Sequence, residues 1–222
     1  MHEVCTFFKN GIPRGIRRGF LTAAILAGGE NRRIPYVKGL LAVEGRTIID
    51  RSLDVLRKVF DRVVISTNSP EWYFRFGVPL IGDVKMKRGP MTGILSVLLA
   101  TSDAAVFVVA CDMPFISEAL LRYMLTLFEE QGARGNRGID AVIPVFGGKT
   151  EPLFGIYTRN VVKVMEGMLR EGNTSLQAMF GNTEVLYIDE EAVRARDPLG
   201  RSFININTME DYKKIRGALC LV

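Results

Sequence analysis

The chain has very little histidine: one residue, His2, in 222. A Ser-His-Asp triad, a Cys-His pair and a metal site built on imidazoles all need a histidine beside the other functional groups, so we do not expect these mechanisms. Cysteine is also scarce, with Cys5, Cys111 and Cys220 odd in number and without CxxC spacing. This argues against disulfides and a zinc site, and it favours a reducing, cytoplasmic environment.

Long hydrophobic runs are missing as well. The longest, such as 104–111, have the length of a strand and are too short to span a bilayer, so no membrane partner is expected. Hydrophobic residues at 48% and charged residues at 24% are ordinary for a globular protein. The net charge of +5 suits anionic ligands such as nucleotides. The cations are not interleaved with aromatic residues on one stripe, so nucleic acid is not an expected partner.

The order of apolar patterns predicts one α/β domain. Residues 1–20 are basic and interrupted by glycine and proline, which indicates a poorly ordered arm before a domain at 21–222. Through the first 130 residues, strand-length apolar runs alternate with helical patterns, as in a mostly parallel sheet with helices on both faces. The 146–152 connection predicts one antiparallel neighbour. We predict strands at 21–27, 62–66, 78–81, 104–111, 140–146, 152–157, 184–188 and 203–206, and helices at 48–60, 92–100, 117–131, 160–170, 175–180 and from 208 onwards.

The first predicted strand ends in a glycine pair that could bind phosphate. Gly28-Gly29 allows backbone N–H groups to converge on an anion, and Arg32, Arg33 and Lys38 follow it closely. An ordinary turn with solvated cations is an equally good interpretation of this stretch alone. The GxxxxGK[ST] pattern of a Walker A loop and the GxGxxG pattern of dinucleotide folds are both absent.

Other polar residues also follow predicted strands. Asn68, Asp83 and Asp112 each come at or near a strand end, and ligands of open α/β sheets bind at the carboxyl ends of the strands. Asp112 directly follows an apolar strand, so we predict it as a ligand of Mg²⁺, with Asp83 an even candidate. In 203–207 the period-two pattern places Asn205 and Asn207 on one face, where they either approach a ligand or begin a turn.

Four segments together resemble the molybdenum cofactor guanylyltransferases of the nucleotidyltransferase superfamily. They occur in that family's order and spacing: LAGGENRRIPYVK at 26–38, RGPMTG at 88–93, CDMP at 111–114 and FININT at 203–208. The resemblance implies a single Rossmann-like, three-layer α/β domain. It also implies transfer of GMP from GTP to molybdenum-bound molybdopterin, with release of pyrophosphate and with Mg²⁺ as cofactor. Molybdenum-insertion and molybdoenzyme maturation proteins would be partners.

The same resemblance assigns roles to individual residues. Leu26, Ala27, Gly28 and Gly29 would contact the nucleotide, as would Asn68 and Asp83. Lys38 would bind its phosphates and Asp112 would hold Mg²⁺. In the reaction that we expect, Lys38 and either Arg32 or Arg33 would offset charge as pyrophosphate leaves. Asn205 and Asn207 would lie near the metal and the pterin.

The chain departs from the family's pattern at three positions: Pro35 replaces a glycine, Val37 an aspartate, and Glu151 a glutamine or histidine. Pro35 lacks an N–H group and Val37 lacks a carboxylate that would orient Lys38. Three alternatives therefore stay open: a cytidylyltransferase, another nucleotidyltransferase with a phosphorylated acceptor, and a non-catalytic nucleotide-binding or cofactor-binding relative.

Overall fold

Strands and helices alternate along the chain in the predicted order. The computed structural model describes residues 21–28, 36–85, 89–133 and 138–219. The strands are β1 (Leu21–Leu26), β2 (Ala42–Val43), β3 (Arg46–Thr47), β4 (Arg62–Ser66), β5 (Leu80–Ile81), β6 (Ala105–Ala110), β7 (Ala141–Phe146), β8 (Lys149–Thr150), β9 (Phe154–Thr158) and β10 (Val185–Ile188). The α-helices are α1 (Ile48–Leu56), α2 (Pro90–Ala100), α3 (Glu118–Ala133), α4 (Val161–Arg170), α5 (Leu176–Phe180), α6 (Glu190–Arg194) and α7 (Met209–Leu219). Short 3-10 segments occur at Lys38–Leu40, Pro70–Trp72, Phe74–Phe76 and Arg201–Phe203.

The main sheet is mixed but mostly parallel, which confirms the predicted fold class. Its strands lie in the order β10-β7-β9-β6-β1-β4-β5, with β8 paired to β7. The pairs β1–β4, β1–β6, β4–β5 and β7–β10 are parallel. Strand β9 is antiparallel to both of its neighbours, as expected for the strand after the 146–152 connection. The two-residue turn at Gly147-Gly148 leads first into β8, which pairs antiparallel with β7.

Apolar layers cover both faces of the sheet. Ala23 and Ile25 of β1 face one layer, which also contains residues of α1 and α3. The alternate residues, Ala24 and Leu26, face the other layer, which contains residues of α2, α4 and α5. A strand that is covered on both faces of the sheet has a continuous apolar sequence. Strand β6 is an example, since all six of its residues are apolar and buried.

Predicted caps start several of the helices. The Ser117 hydroxyl accepts a hydrogen bond from the Leu120 N–H at 3.2 Å, at the start of α3. Thr208 and Asp211 form the predicted capping box of α7: the Thr208 hydroxyl accepts from the Asp211 N–H at 3.1 Å, and the Asp211 carboxylate accepts from the Thr208 N–H at 2.8 Å. The starting positions of α3 and α7 are therefore set by residues close to them in the sequence.

The predicted last strand, 203–206, is wrong. Arg201–Phe203 is a 3-10 segment, and 204–207 belongs to no helix or strand. The Asp197 carboxylate accepts hydrogen bonds from the N–H groups of Arg201 and Ser202, which favours the turn. The Ile206 N–H donates to the Asp112 carbonyl at 3.0 Å, so this segment attaches to the loop after β6.

Other elements also differ from the prediction. Helix α1 ends at Leu56 rather than at residue 60, and 57–59 form turns. The short helix α6 is not predicted; its N-cap is Asp189, whose carboxylate accepts from the Ala192 N–H at 2.8 Å. In the described part of the chain, no helix is both long enough and apolar enough to cross a membrane.

Candidate functional site

A cavity of about 200 Å³ lies at the carboxyl ends of β6, β1 and β4. This is the edge of the sheet where an open α/β fold is expected to bind ligands. Residues from six separate segments line the cavity: Leu26, Ala27, Gly28, Val37, Lys38, Ser69, Trp72, Tyr73, Pro90, Ala110, Cys111, Asp112 and Leu153.

The end of β1 is held between its two neighbours. The Ala27 N–H donates to the Ser66 carbonyl at 2.8 Å, and the Leu26 carbonyl accepts from the Cys111 N–H at 3.0 Å. Gly28 then leaves the sheet and is exposed, and apart from its chain neighbour no described residue has an atom within 4 Å of the position that a Cβ would occupy. No residue in the described part of the chain therefore blocks a ligand in the cavity from the Gly28 backbone.

Lys38 contacts two of the predicted polar residues. Its ammonium Nζ lies 2.9 Å from Asp112 Oδ2 and 3.1 Å from Asn207 Oδ1. The side chains of Lys38 and Asp112 are 20% and 17% exposed, so the ion pair is largely shielded from bulk water. These contacts join the loop after β1, the end of β6 and the segment before α7.

Close packing fixes the backbone beside Lys38. A Cβ on Gly39 would lie 2.9 Å from Cγ1 of Ile49 in α1 and 3.4 Å from the Tyr73 hydroxyl. Gly39 is buried, and Tyr73 is only 2% exposed. Glycine at this position lets the Lys38 segment approach α1 closely, which sets where the ammonium group can reach.

Cys111 lies in the cavity wall but is not a thiolate nucleophile. Burial and the neighbouring Asp112 carboxylate raise the pKa of its thiol to about 12, and the Lys38 ammonium offsets only part of this. The thiol therefore stays protonated near neutral pH.

Asn68 and Asp83 form a reciprocal pair beside the cavity. The Asn68 amide donates to Asp83 Oδ2 at 2.6 Å, and the Asp83 N–H donates to Asn68 Oδ1 at 2.8 Å. They follow the neighbouring strands β4 and β5, so the parallel register brings them together. Both are named from the sequence as nucleotide-binding residues, and the next residue, Ser69, lines the cavity.

The structure brings most of the predicted site residues to one edge. Leu26, Ala27, Gly28, Lys38 and Asp112 share the cavity. Asn205 differs from Asn207, because its amide donates to the nearby Phe203 carbonyl at 3.2 Å. The predicted residues Gly29, Arg32 and Arg33, and the unusual Pro35, lie outside the described residues.

Val37, which stands where the resembled family has an aspartate, makes apolar contacts. It is half-buried, packs against the core under α1 and α3, and lines the cavity next to Lys38. Asn207 and Asp112 both accept hydrogen bonds from Lys38, so the ammonium group is oriented without an acidic residue at 37.

Several lining residues are not predicted from the sequence. Trp72, Tyr73 and Leu153 come from segments without a predicted site role, whereas Pro90 lies in the 88–93 segment that supports the family resemblance. One signal could have found Trp72: it is the single tryptophan of the chain and follows a predicted strand end by a few residues.

The oxygen donors in the cavity suit a metal ion whose other ligands come from a bound substrate. The described residues contain no group of three or more His, Cys, Asp or Glu side chains that could hold a metal ion. Mg²⁺ usually takes one or two protein carboxylates, with substrate phosphates and waters in its other positions. Asp112, in the cavity wall beside exposed backbone, fits that pattern.

The chain matches a known family model over most of its described length. Residues 23–185 match the MobA-like NTP transferase domain. This range contains the ends of β1, β4, β5 and β6 and therefore the whole described cavity.

Two similar relatives carry the same name. The molybdenum cofactor guanylyltransferase of Desulfosudis oleivorans is 34% identical over 200 residues, covering 90% of this chain and 96% of the relative. The molybdenum cofactor guanylyltransferase of Syntrophotalea carbinolica is 34% identical over 198 residues, covering 89% and 91%.

The fold is similar to that of a solved archaeal protein. The crystal structure of molybdopterin-guanine dinucleotide biosynthesis protein A from Archaeoglobus fulgidus superposes with a TM-score of 0.77 at 25% identity. The match covers 90% of this chain and 100% of that one.

Proposed function

The chain belongs to the MobA-like NTP transferase family, and from this premise we propose that it transfers GMP from GTP to the terminal phosphate of molybdenum-bound molybdopterin. The observation that carries the proposal is the cavity that brings the Gly28 turn, Lys38 and Asp112 together. The guanylyl donor and the molybdopterin acceptor are taken from the names of the relatives.

The proposed reaction needs alignment and charge neutralisation more than proton transfer. An anionic phosphate oxygen of the acceptor attacks the α-phosphorus of GTP, a new P–O bond forms, and the bond to the bridging oxygen breaks to release pyrophosphate. Because the attacking oxygen is already anionic, no general base is required, which is compatible with the scarcity of histidine. The residues must hold the two phosphates in line and offset their charge.

Lys38 can supply part of that charge. An ammonium group has three donors, and Lys38 directs hydrogen bonds to Asp112 and Asn207. In the proposed complex, Lys38 keeps its bond to Asn207 and turns towards the phosphates. Asp112 would hold Mg²⁺, and the metal would supply positive charge to the phosphate oxygens. The exposed backbone at Gly28 offers N–H contact to the nucleotide.

The test combines binding with turnover. Calorimetry should show that Mg-GTP binds more tightly than Mg-CTP, and the purified protein should release pyrophosphate from GTP in the presence of the molybdenum-loaded acceptor. Lys38→Ala should lower the rate about 100- to 1,000-fold, the usual cost of losing one preorganised donor to developing charge. Preference for CTP would overturn the guanylyl assignment.

A matched variant separates a local role of Lys38 from loss of surface charge. Lys163→Ala removes one ammonium group from the exposed side of α4 and should leave the rate unchanged. Equal rates in wild type and Lys38→Ala would contradict the role of Lys38. Binding of Mg-GTP without pyrophosphate release would favour a non-catalytic binding protein instead.

A further inference from the structure

The cavity extends across three strand ends, and the charged side chains among its described lining residues lie at one of them. Asp112 follows β6, Gly28 follows β1, and Ser69 and Trp72 follow β4. Since the sheet order is β6-β1-β4 and neighbouring strands lie about 4.8 Å apart, the β4 end is about 10 Å from the β6 end.

The two ends differ in chemistry. Among the described lining residues, Lys38 and Asp112 are the only ones with charged side chains, and both belong to the β6 end. The described lining residues that follow β4 include Ser69 and the aromatic Trp72, and the Asn68–Asp83 pair lies beside them. A nucleotide whose phosphates lie at Lys38 and Asp112 can therefore extend its base towards an aromatic side chain.

Trp72 is held at that end by a short rigid segment. It ends the 3-10 segment Pro70–Trp72, in which the Tyr73 N–H donates to the Pro70 carbonyl at 2.9 Å. The following residue, Tyr73, is buried and anchors the segment against the core. The Trp72 side chain itself is 49% exposed, so a large indole surface is left uncovered at the cavity.

Exposure alone would not distinguish Trp72 from other surface aromatics. Phe74, two residues later, is 72% exposed, but it is not among the described residues that line the cavity. Trp72 combines an exposed ring, a fixed backbone and a place in the cavity wall.

We propose that Trp72 stacks on the base of the bound nucleotide. The inference rests on the proposed function, because it places the phosphates of a nucleoside triphosphate at Lys38 and Asp112. Every base has a π-face, so stacking contributes affinity without selecting one base, and alanine substitution of a stacking aromatic weakens binding by about 5- to 150-fold.

Calorimetric titration with Mg-GTP tests the contact. Trp72→Ala should weaken binding by that factor, and Trp72→Phe should restore part of the affinity because a smaller aromatic ring remains. Phe74→Ala, which removes a neighbouring exposed ring, should bind as the wild type does. Trp72 is the single tryptophan of the chain, so stacking should also quench the intrinsic fluorescence of the wild type when Mg-GTP is added.

A second ligand separates the stacking inference from the proposed function. Mg-tripolyphosphate has no base, so wild type and Trp72→Ala should bind it equally and without quenching. If the wild type binds no Mg-GTP, the proposed function fails. Stacking is overturned, while the proposed function stands, if Trp72→Ala binds Mg-GTP as tightly as the wild type. The same holds if the substitution weakens binding of Mg-tripolyphosphate by the same factor as binding of Mg-GTP.

Discussion

Glu151 places a half-buried carboxyl group in the short connection between β8 and β9, at the same edge of the sheet as Asp112. The Glu151 N–H donates to the Pro144 carbonyl at 2.9 Å, and the Ala110 N–H donates to the Leu153 carbonyl at 3.1 Å. Burial raises the pKa of Glu151 from its usual 4.5 to about 7, although the Lys149 ammonium favours the ionised form. Near neutral pH this residue therefore exists in both protonation states.

Glu151→Gln should change how stability depends on pH. The folded protein holds the Glu151 proton more tightly than the unfolded chain, so its stabilising contribution is complete below pH 4.5 and is lost as the pH rises through 7. Partial exposure screens the effect, so the free energy of unfolding of the variant relative to wild type should rise by about 1–2 kcal/mol between pH 5 and pH 8. Urea denaturation at the two pH values measures this.

A second glutamate provides the control for that measurement. Glu130→Gln removes a carboxylate from the exposed surface of α3 and should show a much smaller change with pH. A constant difference between Glu151→Gln and wild type across the range would contradict the raised pKa.

Site residues were predictable where a motif and a strand end coincide. Gly28 and Asp112 follow long buried strands, so their place at the sheet edge follows from the apolar pattern. The hydrogen bond from Lys38 to Asn207 joins residues 169 positions apart, and no local pattern encodes it. Trp72 was missed for the same reason, because its place depends on how a 3-10 segment packs through Tyr73.

At the scale of elements, the segment around Gly200 determines where Asn207 lies. Gly200 has φ of 59° and ψ of 33°, and it precedes the 3-10 segment Arg201–Phe203. A Cβ at this position would overlap the Phe146 ring. That ring cannot move away freely, since it packs 5.4 Å from the Phe203 ring and 4.5 Å from the Arg194 guanidinium carbon.

Gly200→Ala should therefore lower the free energy of unfolding by more than the strain of a left-handed backbone conformation alone. Gly77 provides the comparison, because it has φ of 63° and no atom within 4 Å of its missing Cβ. Gly77→Ala should lower the free energy of unfolding by about 1 kcal/mol, and Gly200→Ala by about 2–4 kcal/mol because overpacking adds to the strain. Denaturant titration of both variants checks the difference, and equal losses would show that Phe146 adjusts without cost.

The same segment shows why the last strand could not be predicted. The alternation in 203–207 is typical of a strand, yet the Ile206 N–H bonds to the Asp112 carbonyl outside the sheet. Ile204 is 37% exposed while Ile206 is buried, so the two do not share one environment. The starts of three helices were better predicted, because Ser117, Ser175 and Thr208 act as local caps. Contacts with distant residues determine the conformation of 203–207, whereas neighbouring residues determine where these helices begin.

At the scale of the whole molecule, the central sheet connects the two apolar layers. Alternate residues of β1 and β6 enter opposite layers: Phe107 and Val109 face one, and Val106 and Val108 face the other. Within the first layer, aromatic rings form a chain in which Phe107 lies 5.5 Å from Phe60 and 5.2 Å from Phe154. Because both layers pack on the same strands, loss of packing in one layer should also disrupt the sheet that supports the other.

The described domain should consequently unfold in one cooperative transition. In urea, Trp72 fluorescence reports the edge of the sheet and far-ultraviolet circular dichroism reports the whole backbone, and the two curves should coincide. Phe107→Ala removes a fully buried ring and should lower the free energy of unfolding by about 3–5 kcal/mol, shifting both curves equally. Leu199→Ala, at a side chain that is 75% exposed, should shift neither curve measurably. Separate midpoints for the two probes would mean that the layers unfold independently, because a shared sheet requires them to lose structure together.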